Sequence, residues 1–97
     1  MSRYQVDIQN GEMWVAYGLD HALGWFADIF AYNPEKDEED IVESAYGRTQ
    51  VFELFEKYDV EKELNEWHIK SIAMDLPIAD NEEEFNKFVN QVLGGTS

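Results

Sequence analysis

The dipeptide Asn10-Gly11 restricts the fold of this chain more than any other part of its sequence. A two-residue hairpin loop of type I′ needs positive φ at both central positions, and Asn followed by Gly adopts them readily. Such a loop fixes the strand register and pairs the following residues: Gln9 with Glu12, Ile8 with Met13, Val6 with Val15, and Tyr4 with Tyr17. The apolar members of these pairs share one face, and Trp14 lies on the other. The sequence therefore predicts an N-terminal antiparallel hairpin.

A dense aromatic segment, Trp25–Tyr32, follows a stretch bounded by glycines. As a third strand it divides its side chains between two faces, with Trp25, Ala27 and Ile29 on one and Phe26, Asp28 and Phe30 on the other. A helix capped by Asp20 is the alternative for residues 24–32, since apolar residues also recur there at helical spacing. The flanking glycines and the aromatic residues favour the strand.

Residues 33–43 carry most of the acidic residues of the first half of the chain, with Lys36 as the only base. Pro34 restrains the backbone, so we expect a loop that runs into a short helix or an irregular segment. The acids of this segment are Glu35, Asp37, Glu38, Glu39, Asp40 and Glu43.

The second half of the sequence is typical of helices. One helix is expected from a cap at Thr49 to about Tyr58, and another from a cap at Asp59 to about Met74. The last helix has Asp80 as its expected cap, and Glu83 three residues later completes a capping-box pattern. Apolar residues then recur at helical spacing, and Gly94-Gly95 ends the helix. The sequence predicts one α+β domain over residues 1–97, an N-terminal antiparallel sheet packed with C-terminal helices.

The strongest feature of the composition is its charge. The 97 residues include 21 acids and 7 bases, which gives a formal net charge of −14. This charge repels nucleic acid and anionic membranes. It attracts basic surfaces, and electrostatic steering raises association rates roughly 10- to 1000-fold. We expect a basic nucleic-acid-binding protein or ribonucleoprotein as the partner, without direct contact to nucleic acid or membrane; acidity that serves only solubility is the alternative.

The sequence favours a cytoplasmic protein, in the host cytoplasm if a phage encodes it. It contains no cysteine. It also shows neither a signal-peptide block nor a run near the ~20 apolar residues of a membrane helix.

Two acidic clusters are the candidate partner-binding residues. The first is the set of six acids in residues 33–43, and the second comprises Asp80, Glu82, Glu83 and Glu84. Acids three or four apart on a helix have Cβ atoms about 5–6 Å apart, a scale similar to the phosphate spacing of a DNA strand. Three lysines are expected to pair with an acid one turn upstream, as Glu53–Lys57, Glu66–Lys70 and Glu83–Lys87. The unpaired acids would then fit a groove lined with Lys and Arg.

Residues for catalysis or for a cofactor are not recognisable. No phosphate-binding loop, zinc-protease motif or nucleophile elbow is present. Asp20-His21 is the one acid–base pair in a loop, and a hydrogen bond within that loop is the more common role of such a pair. The run Asp37–Asp40 lacks the ligand spacing of a calcium loop. We expect no enzyme activity, no cofactor and no dedicated metal site.

The small size, the absence of cysteine and the two acidic clusters resemble the compact acidic anti-CRISPR proteins of phages that mimic DNA. The resemblance is one of type and carries no motif, so it assigns no role to a single residue. It implies a stoichiometric inhibitor that occupies the nucleic-acid channel of a CRISPR effector complex. The alternatives are an immunity protein or antitoxin that blocks a basic nuclease, with an aromatic anchor such as Trp14, and an acidic adaptor subunit.

Overall fold

The chain forms an N-terminal antiparallel sheet followed by helices. A computed structural model describes residues 2–94. In chain order its elements are β1 (Ser2–Ile8), β2 (Met13–Asp20), β3 (Gly24–Asn33), β4 (Glu38–Tyr46), α1 (Arg48–Lys57), α2 (Glu66–Ala73) and α3 (Glu82–Leu93). The predicted α+β class is confirmed. By internal contacts the chain divides between Glu63 and Leu64 into two compact units, and the expectation of one domain stays a prediction.

The predicted register of the hairpin is confirmed, but the loop comprises residues 9–12, and the expected pair of Gln9 with Glu12 is not part of the strand ladder. Val6 lies opposite Val15 and Tyr4 opposite Tyr17. The turn places Asn10 at φ 59° and Gly11 at φ 87°, as a type I′ turn requires. The backbone N–H of Glu12 donates to the carbonyl of Gln9 at 3.1 Å and closes the turn.

The aromatic segment is a strand, as the sequence favoured. β3 pairs with β2 so that Ile29 lies opposite Val15 and Ala27 opposite Tyr17. The side chains of Trp25, Ala27 and Ile29 are buried. Because residues of a strand alternate between faces, the same alternation places Phe26 and Phe30 on the opposite side.

The expectation of a loop or short helix for residues 33–43 is wrong beyond residue 37. Only residues 34–37 form a turn, and β4 follows it from Glu38 as the fourth strand, at the edge of the sheet in the order β1-β2-β3-β4. The prediction failed because β4 is mostly exposed, and its acids conceal the period-two alternation that identifies a half-buried strand. Val42 is an extra residue in β4, since Ile29 pairs with Glu43 while Phe30 pairs with Ile41.

Helix α1 packs on one face of the sheet. It contacts β3 and β4, and its buried residues include Leu54 and Phe55. The ring of Phe55 meets the ring of Tyr17 edge-on, with centroids 5.8 Å apart. We call this face the covered face; its residues on the strands include Val15, Tyr17, Ala27, Ile29, Glu43 and Ala45. Burying one large apolar side chain here stabilises the fold by about 1.5–3 kcal/mol.

The other face of the sheet carries aromatic residues on its central strands. We call it the second face; its residues include Trp14, Phe26, Phe30, Ile41 and Tyr46. Trp14, which the sequence placed opposite the main apolar face, stacks parallel to Phe30 with centroids 5.9 Å apart.

The start of α1 differs from the expected one, whereas its end near Tyr58 is as expected. Gly47 is its N-cap, and Thr49 lies inside the helix. Tyr58 follows the last helical residue, and its backbone carbonyl accepts a hydrogen bond of 2.9 Å from the side-chain Nε2 of Gln9. The turn of the first hairpin is thereby tied to the end of the helix.

The long helix expected from Asp59 to Met74 is wrong. Asp59 has a positive φ of 54°, which is incompatible with a helix N-cap of ordinary geometry. A short 3₁₀ turn, Glu61–Glu63, follows it. α2 begins later, with Asn65 as its N-cap, whose side chain accepts a hydrogen bond of 2.7 Å from the backbone N–H of Trp67.

The cap of α3 lies one residue later than expected. Asn81, and not Asp80, accepts a hydrogen bond of 2.8 Å from the backbone N–H of Glu84. The Glu84 side chain accepts one of 3.3 Å from the backbone N–H of Asp80, the residue before the cap, so the expected pair of Asp80 with Glu83 does not form and Glu84 takes the place of Glu83. The helix ends at Leu93, before Gly94. Gly95 lies outside the described residues.

The second unit has an apolar cluster of its own. Its buried members are Leu76, Ala79 and Phe85, and the partly buried Trp67, Phe88 and Val89 pack against them. The buried hydroxyl of Ser71 donates to the carbonyl of Trp67 and accepts from the N–H of Ala79. This arrangement satisfies a polar group that would otherwise be costly to bury.

The hairpin turn yields a first prediction. Gly11→Val is expected to destabilise the protein by roughly 1–3 kcal/mol, because a β-branched residue resists φ of 87°. A Cβ atom at Gly11 meets no atom within 4 Å, so the loss of stability comes from backbone strain and not from a steric clash. Glu12→Val is the control, since Glu12 has an ordinary φ of −74°. Thermal denaturation checks this, and equal melting temperatures for the two variants would contradict it.

Candidate functional site

The first acidic cluster lies at one end of the β3–β4 hairpin. Glu35 and Asp37 belong to its turn, and the other four acids belong to β4. The cluster is therefore on a strand and not on a helix. Glu39 lies opposite Tyr32 on the second face, whereas Asp40 lies opposite Ala31 on the covered face. The carboxylates thus project from both sides of the edge strand.

Hydrogen bonds within the hairpin hold part of this cluster in place. The Asn33 side chain accepts from the backbone N–H of Glu35 at 3.0 Å and donates to Asp40 at 2.8 Å. The Tyr32 hydroxyl donates to Asp37, and this bond raises the pKa of the Tyr32 phenol. The turn is therefore an ordered support for the acids around it.

Glu43 is the one acid of the cluster that an ion pair neutralises. Its Oε1 accepts from Lys57 Nζ at 2.7 Å and from the Tyr58 hydroxyl at 2.9 Å. The hydrogen bond from Lys57 and then that from Tyr58 lower the pKa of Glu43. The same contact raises the pKa of Lys57. These bonds connect β4 with the end of α1, so Glu43 is a structural residue of the first unit.

Three carboxylates of the cluster remain open to a partner. Glu35, Glu38 and Glu39 are exposed and make no side-chain hydrogen bond or ion pair with the rest of residues 2–94. Glu38, Glu39 and Asp40 follow one another along β4, where a strand rises about 3.3 Å per residue. One strand of DNA carries a phosphate about every 3.4 Å along its axis. This part of the edge strand has the linear charge density of one DNA strand.

The second acidic cluster lies at the start of α3, in the second unit. Glu82 and Glu83 are exposed in the first turn of the helix, where the helix dipole favours negative charge. Glu84 is part of the cap, and Asp80 Oδ1 lies 3.2 Å from Nε2 of the buried His68. Asp80 and Glu84 thus have structural roles in local contacts, whereas the side chains of Glu82 and Glu83 face solvent.

The expected lysine pairs form in one case of three. Glu66 and Lys70 form an ion pair of 3.1 Å on α2. Lys57 binds Glu43 across elements instead of Glu53 on its own helix. The pair Glu83–Lys87 is not among the ion pairs of the described residues.

Sequence reasoning missed the exposed apolar residues beside the acids. Ile41 is 60% exposed and Tyr46 is 53% exposed on the second face, and the bulged Val42 is 45% exposed. The adjacent β-branched residues Ile41 and Val42 were the signal for a strand, since such residues favour strands. Ile41 and Val42 follow the acids directly, whereas Tyr46 lies opposite Phe26 at the other end of the strand. Exposed apolar residues near charged ones are a common feature of protein-binding surfaces.

The two histidines lie in different environments, His21 in an exposed turn and His68 in the interior of the second unit. Asp20 accepts backbone hydrogen bonds from Ala22 at 2.7 Å and Leu23 at 3.0 Å, and these bonds lower its pKa. Its carboxylate thus shapes the β2–β3 turn, while His21 is exposed beside it. His68 is buried, as a residue at the edge of a core is expected to be.

Within residues 2–94, no group of three or more His, Asp or Glu side chains is placed to hold a metal ion. None of the helices in this range combines the length and the apolar character needed to cross a membrane. Comparisons with models of protein families, with curated proteins and with solved structures find no match to this chain. The function proposed below therefore rests on the geometry of the edge strand.

The Glu43 contacts predict a dependence of stability on pH. Since the folded state lowers the pKa of Glu43, its contribution is present at neutral pH and is lost as pH falls below about 4.3. Glu43→Gln is therefore expected to lower the urea midpoint at pH 7, and the difference from wild type is expected to shrink in acid. Glu53→Gln, a neighbouring acid outside this network, is the control and is expected to change little. A difference for Glu43→Gln that stays constant down to pH 3 would contradict the assignment.

Proposed function

We propose that this protein is a non-enzymatic inhibitor that occupies the nucleic-acid-binding surface of a basic protein or ribonucleoprotein, in the manner of a DNA-mimicking anti-CRISPR protein. The observation that carries the proposal is the run of carboxylates Glu38–Asp40 at the start of β4, whose charge per unit length along the strand axis is that of one DNA strand, with successive side chains on alternate faces. A surface of Lys and Arg that binds a phosphate backbone accepts such a row for the same electrostatic reason.

The distribution of the bases supports this proposal. Three lysines are neutralised by acids in ion pairs, Lys57 by Glu43, Lys62 by Asp59 and Lys70 by Glu66. A partner therefore meets a field dominated by the unpaired acids. Because the net charge is −14, this field extends over about one Debye length, roughly 8 Å at physiological salt, and steers the protein towards basic surfaces.

A second candidate function, an immunity protein or antitoxin that blocks a basic nuclease, is favoured by the exposed Ile41 next to the acids and the exposed Tyr46 at the end of the same strand. In such complexes one or two aromatic anchors contribute much of the affinity. The two functions differ in how the affinity is distributed. A DNA mimic loses a small part of its affinity for the partner with each acid removed. An immunity protein loses most of its affinity when Tyr46 is replaced by Ala.

The test starts with a pull-down from host lysate at low salt, followed by elution with a salt gradient and identification by mass spectrometry. We expect a nucleic-acid-binding protein or complex that elutes steeply with salt and that added duplex DNA releases. The triple variant Glu35→Gln/Glu38→Gln/Glu39→Gln is then titrated with the captured partner. Its slope of log affinity against log salt is expected to fall by about 1 for each carboxylate that contacts a base.

The matched control neutralises three exposed acids outside the β3–β4 hairpin, as Asp7→Asn/Glu56→Gln/Glu61→Gln. Both triple variants change the net charge equally. If the binding site lies on the β3–β4 hairpin, the variant of Glu35, Glu38 and Glu39 must lose more affinity for the partner than the control. Equal losses mean that only the overall charge matters. A partner that is not a nucleic-acid binder, or that stays bound in high salt, overturns the proposal.

A further inference from the structure

The exposed edge of β4 has backbone groups that face away from the sheet. The N–H of Gly47 donates to the carbonyl of Trp25 at 2.8 Å, one residue beyond the pair Phe26–Tyr46. Hydrogen-bonded pairs alternate with non-hydrogen-bonded ones in an antiparallel ladder. Ser44 and Tyr46 are therefore in non-hydrogen-bonded pairs, and their N–H and C=O groups point outward from the edge.

Helix α1 stands beside this edge and makes a groove with it. Glu43–Tyr46 line one side of the groove, and Gln50, Glu53, Leu54 and Lys57 line the other. A groove between an edge strand and a helix is a site where an extended peptide can add a strand, with backbone hydrogen bonds on one side and side-chain contacts on the other.

The side chains along β4 indicate the chemistry of the added segment. The first part of the strand, Glu38–Asp40, is acidic, and the later part exposes Ile41 and Tyr46. Opposite charges and apolar pairs stabilise adjacent strands, and like charges directly opposite destabilise them. A complementary segment is basic at one end and apolar at the other. In an antiparallel pair of two copies, Glu38–Asp40 of one copy would lie opposite Ser44–Tyr46 of the other, and β4 contains no Lys or Arg to face the acids. A second copy therefore lacks the basic end that this edge requires.

We propose that the protein binds its partner by adding an extended segment of the partner to the edge of β4, antiparallel, with Lys or Arg opposite Glu38–Asp40 and apolar residues opposite Ile41–Tyr46. The inference rests on the proposed function for the class of partner, a basic nucleic-acid-binding protein. It adds the mode of contact, main-chain hydrogen bonds from Ser44 and Tyr46, which a simple row of charges does not require.

The first experiment uses a synthetic peptide of nine residues, the length of β4. Valine and threonine alternate in its N-terminal half, and lysine and arginine fill its C-terminal half. Binding to the full chain is measured by fluorescence anisotropy, and amide hydrogen exchange is followed by NMR. We expect the amide protons of Ser44 and Tyr46 to exchange at least ~10-fold more slowly in the complex, because each gains a hydrogen bond.

The decisive comparison uses two N-methylated forms of this peptide. One form is methylated at alternate residues, and the other at the residues between them, so charge and side chains are unchanged. An added strand directs only one of these two sets of N–H groups to β4. One form is therefore expected to bind at least ~10-fold more weakly than the other, since it loses several net-favourable hydrogen bonds.

Equal affinities of the two forms overturn strand addition, as does failure of the peptide to bind or unchanged exchange at Ser44 and Tyr46. These outcomes are independent of the proposed function. If the acid-to-amide triple variant loses its partner while the two methylated peptides bind equally, the acidic surface acts without strand addition. If the peptides differ as expected while the lysate yields no nucleic-acid binder, the edge binds extended segments of another class of protein.

Discussion

Burial of one face of the sheet under α1 is the constraint on which the rest of the first unit depends. Phe55 and Ile29 are fully buried on this face, and such contacts offset the conformational entropy of ordering four strands. Because α1 follows β4 directly, β4 is brought to the sheet beside β3, although its own sequence is dominated by acids. The position of the acidic cluster is thus a result of how the apolar face is covered.

The acids of the cluster have two different roles in this arrangement. Glu43 and Asp40 accept hydrogen bonds that hold β4 and the hairpin turn in place. Glu35, Glu38 and Glu39 make no such contacts within residues 2–94 and give the edge its charge. Charged side chains on an edge strand also protect a sheet against pairing with the wrong chain. The same residues can therefore exclude most partners and select a basic one.

Local signals in the sequence predicted the hairpin, because Asn10-Gly11 and the alternation around it require the same register. The strand at residues 24–33 followed from its aromatic density. The sequence did not reveal β4 as a strand, because its acidic composition suits a loop. In the structure, pairing with β3 outweighs that local preference. The cap of α3 was misplaced by one residue because two capping side chains, Asp80 and Asn81, stand side by side. The start of α1 was misplaced because Gly47, which has no capping side chain, precedes it. Lys57 shows the limit for side chains, since its partner on β4 lies outside the reach of any rule based on helical spacing.

The bond between Gln9 and the carbonyl of Tyr58 joins residues that are far apart in the chain. During synthesis the hairpin is made before α1, and it can form before α1 exists. Its apolar face, with Val15 and Tyr17, then stays uncovered until Phe55 has been added, about 35 residues after Asp20, which takes roughly 2–7 s at ribosomal rates of about 5–20 residues per second. The hairpin therefore passes through an interval in which it depends on its own charge, or on a chaperone, to remain unaggregated.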